Sequence, residues 1–157
     1  MFTNFEIMPI QADKVIKFFF LSNTITLKDR KKLKYFLINL LRREGKKPAS
    51  LNFIFCSDKY LLDINKKYLN HDYYTDIITF DLSSESKLVE AEIYISMDRI
   101  SDNAKSLNTT IKKEILRVMF HGLLHLCGYG DKSSKEKKLM REKEDYYLNR
   151  YLNQGST

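Results

Sequence analysis

The stretch from Ile111 to Asp131 constrains this chain most. Ile111, Ile115, Val118, Met119 and Leu126 fall on one side of a helix, so residues 111 to 127 are expected as a helix with an apolar side. His121 and His125 stand four apart on that helix. The spacing puts both imidazoles on one face, one turn apart, where they can share a metal at about 2.0–2.1 Å. Gly128 and Gly130 fit a helix stop that reverses the chain. A tight return would carry Asp131 back beside the two histidines. Two histidines and one carboxylate leave positions open to water and substrate, the pattern of a catalytic site, since structural zinc is usually closed by four protein ligands. The bare spacing also fits a hydrogen-bonded histidine pair on a half-buried helix.

The remaining segments alternate incompletely between helix and strand. Asn4 to Met8 alternates and then meets Pro9, which suggests a short strand. Residues 27 to 44 carry Leu33, Phe36, Leu37, Leu40 and Leu41 at helical spacing, with Thr26 as a cap and Gly45 followed by Pro48 as the stop. Leu51 to Cys56 reads as a strand. Ser57 or Asp58 would cap a following helix containing Leu61, Leu62, Ile64, Asn65 and Tyr68. Thr75 to Asp81 and Ala91 to Ser96 read as strands separated by a polar turn, residues 83 to 87, and a helix begins near Met97 or Asp98. The last helix, 134 to 152, offers Leu139, Met140, Tyr147, Leu148 and Tyr151. The expectation is an α+β single domain over 1–157, a small mixed four-stranded sheet packed with helices, one of them a zincin-like metal-bearing helix.

Composition narrows the partners. Lys and Arg number 27 against 20 Asp and Glu, a net charge of +7, which favours polyanions. Basic residues crowd positions 28 to 47 and 132 to 143. In the last helix Arg141, Glu142, Lys143 and Glu144 interleave, the pattern of a solvated face. The densest apolar run, Phe18-Phe19-Phe20-Leu21, is far shorter than the ~20 residues of a membrane span. No secretory signal is expected from residues such as Glu6 and Asp13 near the start. Cys56 and Cys127 match no disulfide framework, so a cytoplasmic setting is expected. His71 is a rival ligand or a surface histidine in a polar loop. Cys127 is about 200° round the helix from His125, which favours a small core residue over a ligand.

The segment His121-Gly-Leu-Leu-His125-Leu-Cys-Gly-Tyr-Gly-Asp131 resembles the H-G-x-L-H-L-x-G-Y-D-H signature of the YbeY family, metal-dependent endoribonucleases of ribosomal RNA maturation. Residues 62 to 68 resemble the family's L-N-x-x-Y-R region. Tyr74 to Phe80 is similar to its P-T-D-V-L-S-F strand, and Ala91 to Ser96 to its G-D-I-x-I-S strand. The resemblance implies one divalent ion, zinc above others, held by His121, His125 and Asp131. It also implies hydrolysis of single-stranded RNA, in 16S rRNA 3′-end maturation and ribosome quality control, with ribosomal RNA or a ribosomal subunit as partner and neither membrane nor nucleotide cofactor. A bound ion lowers the pKa of its water to about 7, and either that water or the ribose 2′-OH remains open as the attacking group. Two departures from the family's pattern matter. The family's third histidine falls at Asp131, whose charge weakens the ion's Lewis acidity. The family's arginine falls at Leu69, leaving Lys66 and Lys67 as candidate RNA-binding cations. A non-catalytic assembly factor with a structural metal is a competing reading. A metallopeptidase is another, disfavoured because Gly122 stands where a zincin carries its glutamate base.

Overall fold

The structure, a computed structural model, describes residues 9–22 and 26–154. The element order is α1 (Pro9–Val15), β1 (Ile16–Phe20), α2 (Arg30–Arg43), β2 (Lys47–Cys56), α3 (Asp58–Leu69), β3 (Ile77–Asp81), β4 (Leu88–Ser96), α4 (Met97–Ser106), α5 (Ile111–Leu126) and α6 (Ser134–Leu152). The strands form one mixed sheet in the order β1-β2-β4-β3. β2 runs parallel to β1 and β4, and β3 runs antiparallel to β4, pairing Thr79 with Ile93. The expected α+β class and mixed four-stranded sheet are therefore present.

Side-chain alternation divides the sheet's two faces. Leu51, Phe53 and Phe55 of β2 join Ile93 and Ile95 of β4 in the main core, under α2, α5 and α6. Phe36 of α2 meets the rings of Phe120, Tyr147 and Tyr151 there. Each such fully buried side chain contributes about 1.5–3 kcal/mol. The opposite face holds a smaller cluster in which Leu61 and Ile64 of α3 pack with Ile78. Ser57, Ser96, Thr110 and Ser133 cap α3, α4, α5 and α6, each accepting a bond from the backbone N–H three residues on.

Several boundaries differ from the sequence reading. α2 starts at Arg30, after Asp29 in a left-handed conformation (φ 53°) with no side-chain cap bond, so Thr26 is not its cap. The first strand is Ile16–Phe20, the apolar run itself; the suggested strand at 4 to 8 lies outside the described residues. Pro48 belongs to β2 rather than to a helix stop, beside a register shift between Pro48 and Ser50. Ile111 and Leu139 are exposed, not core. No helix among the described residues is long and apolar enough to cross a membrane.

α5 crosses the β3 edge of the sheet at Gly122. A Cβ there would lie 2.8 Å from Ile77 Cδ1 and 3.3 Å from Thr79 Oγ1. The absence of a side chain lets the helix approach the strand closely, and this sets His121 and His125 beside β3.

Candidate metal centre

α5 ends just after His125 in a Schellman turn. Gly128 N–H bonds to His125 O (3.0 Å) and Tyr129 N–H to Leu124 O (3.0 Å), with Gly128 at φ 101°. Gly128 is thus the residue that needs glycine's freedom, whereas Gly130 keeps an ordinary φ. The turn brings the Tyr129 carbonyl to 2.9 Å from His125 Nδ1 and folds Asp131 back over the helix.

His121 Nε2 and His125 Nε2 lie 2.9 Å apart, and Asp131 Oδ2 is 3.3 Å from the first and 3.2 Å from the second. These three residues could hold a metal ion. A carbonyl can only accept, so His125 donates from Nδ1 and turns Nε2 toward the cleft. The same holds for His121, whose Nδ1 donates to Glu144 Oε2 at 2.7 Å. Both Nε2 atoms therefore face one point beside a carboxylate oxygen, where lone pairs of the two rings can be shared by one cation. The edge of a tetrahedron around zinc is about 3.3 Å for bonds of 2.0–2.1 Å, close to all three separations. The donor set fits a divalent ion with its outward side free.

The layer behind these side chains was not readable as such. Glu144 is 2% exposed and not part of a solvated face. Its Oε1 accepts from Arg117 at 3.0 Å, and Arg117 also pairs with Glu114. Burial alone would raise the Glu144 carboxyl, but the bonds from His121 and Arg117 hold it below the usual carboxylate range. The available signal was its helical spacing to Met140, Tyr147 and Tyr151.

The three groups open into a cleft of about 450 Å³, lined also by Asn65, Leu69, His71, Tyr73, Asp76 and Thr79. Burial pushes the Asp76 carboxyl up against the pull of Arg117 and His121, and Asn103 donates to it at 3.3 Å. His71 lies in the cleft wall, exposed and bonded to the Tyr73 hydroxyl, outside the three-residue group. Cys127 packs against the core, and burial pushes its thiol up to about 12. Lys66 and Lys67 occupy the last turn of α3, outside the cleft wall; Lys66 pairs with Asp72 at 3.2 Å and Lys67 rides over the Tyr68 ring.

The sequence model of the family described as Endoribonuclease YbeY matches residues 21–152. An endoribonuclease YbeY of Cytophaga hutchinsonii is 49% identical over 132 residues, 83% of this chain and 92% of that protein. Another from Christiangramia forsetii is 42% identical, covering 81% and 88%. Among solved structures, a Thermotoga maritima protein determined in solution superposes with a TM-score of 0.62 at 29% identity, covering 88% of this chain and 90% of that one. Fold, site geometry and these likenesses agree that the chain belongs to the YbeY endoribonuclease family.

Proposed function

We propose that residues 1–157 form one zinc-dependent endoribonuclease domain cutting single-stranded RNA, its biological substrate the 3′ end of 16S rRNA in ribosome maturation and quality control. The convergence of the His121 and His125 Nε2 atoms with Asp131 Oδ2, each imidazole tied back through Nδ1, carries the reading. His121, His125 and Asp131 hold the ion, for which two imidazoles and a carboxylate suit zinc. When bound, such an ion supplies Lewis acidity toward a phosphoryl oxygen and acidifies water at neutral pH.

The chain's own residues do the rest. Glu144 and the Tyr129 carbonyl fix the ring orientations and keep both Nε2 lone pairs free. The cleft leaves one side of the centre open to a phosphodiester. Lys66 and Lys67 neutralise phosphates of the approaching strand from the α3 side. Free thiols at Cys56 and Cys127 suit a cytoplasmic enzyme. Gly122 leaves no room for a glutamate after His121, which weighs against a peptidase.

The test is cleavage of a structured rRNA fragment by the purified chain, with and without chelator, and by His121→Ala. Cleavage lost in both treated arms supports the proposal. Equal cleavage in all three arms overturns it.

A further inference from the structure

The loop that follows α3 has a built order that the metal site does not require. Asn65 is 1% exposed; its Nδ2 donates to Tyr73 O at 2.9 Å, and its backbone carbonyl accepts from the His71 N–H at 3.1 Å. Asn70 caps the helix in a left-handed conformation. Fixed in this way, His71 and Tyr73 stack, ring centroids 5.0 Å apart and planes 22° from parallel, with the Tyr73 hydroxyl 2.9 Å from His71 Nδ1. Both line the cleft that holds His121, His125 and Asp131, with Leu69 beside them. Yet Tyr73 is 56% exposed. The Tyr73 ring is thus held by its stack on His71 and still accessible from the cleft.

We propose that the Tyr73 ring, backed by His71, is a stacking shelf for one unpaired RNA base and so places the neighbouring phosphodiester at the three-residue centre. The loop is ordered before the ligand arrives, so little conformational entropy is lost on binding. Stacking tolerates any base but requires one that is not paired, so the shelf selects unpaired nucleotides without reading their sequence. The ligand's identity as RNA rests on the endoribonuclease reading; the shelf itself rests on Asn65, His71 and Tyr73.

The experiment is binding of the full chain to a short single-stranded RNA carrying 2-aminopurine at successive positions, in chelator so that no cleavage competes. At one position the wild type is expected to quench the fluorescence. Tyr73→Ala is expected to lose that quench and bind about tenfold more weakly, with unchanged Tm because the ring is exposed. Tyr73→Phe keeps both. An abasic nucleotide at the quenched position weakens the wild type similarly and costs Tyr73→Ala nothing further. Binding of Tyr73→Ala as tight as the wild type, or an abasic penalty equal in both, overturns the shelf. Absence of cleavage by the metal-loaded wild type would strike the nuclease reading alone and leave the binding result standing.

Discussion

Glu144 sits among Arg141, Glu142, Lys143 and Asp145 in the chain, yet it is the carboxylate on which His121 depends. Arg141, Glu142 and Asp145 are exposed and Lys143 turns to Glu44, while Glu144 points into the interface of α5 and α6. Oε2 takes the His121 Nδ1–H and Oε1 takes Arg117, so one buried anion fixes a ring and pairs with a half-buried cation. Glu144→Gln keeps the shape and removes the charge. Zinc affinity is expected to fall about 10–100-fold, read by competition with a chromophoric chelator. An unchanged affinity would mean that the His121 ring is oriented by something else.

At the scale of elements, the turn bearing Asp131 is tied to two helices through Glu44. Its Oε1 accepts from the Tyr147 hydroxyl at 2.7 Å and Lys143 Nζ at 3.0 Å, and Oε2 from the Tyr129 hydroxyl at 2.9 Å. Burial alone would raise this carboxyl, but these three donors hold it below its ordinary 4.5. A depressed value means the clamp stabilises the fold fully above that ordinary value and loses its contribution as pH falls through the folded-state one. Glu44→Gln is expected to cost about 1–3 kcal/mol at neutral pH and to flatten the acid arm of a stability–pH curve measured by urea unfolding. A variant with the wild type's acid arm would contradict the clamp. The same scale shows what could be read from the chain. α6 was legible from Met140, Tyr147, Leu148 and Tyr151, which pack against the core. The return of Asp131 was legible because glycine follows His125 at the end of α5. β1 was not: only Ile16, Phe18 and Phe20 of its five residues face the core, and Phe19 between them hides the alternation. Nor was the role of Glu144 or Glu44, because burial of each is imposed by partners far away in sequence.

Over the whole molecule, a net charge of +7 goes with a cleft whose own walls carry Asp76, Asp81 and Asp131. Under the proposed function the positive charge would draw a strand toward the surface, and the acidic interior would favour a cation between that strand and the protein. Lys66 and Lys67, outside the cleft wall, would belong to that outer field. Replacing both by alanine is expected to weaken single-stranded RNA binding across sequences and to reduce the slope of log K against log salt by about 1.4. An unaltered slope would remove them from the interface. The central claim is that one ion sits among His121, His125 and Asp131. Anomalous diffraction at the zinc edge from zinc-loaded crystals tests it most directly. A single strong peak is expected about 2.0–2.1 Å from both Nε2 atoms and near Asp131 Oδ2. Zinc bound elsewhere, or no peak at saturation with the Asp131 carboxylate turned away, would contradict it.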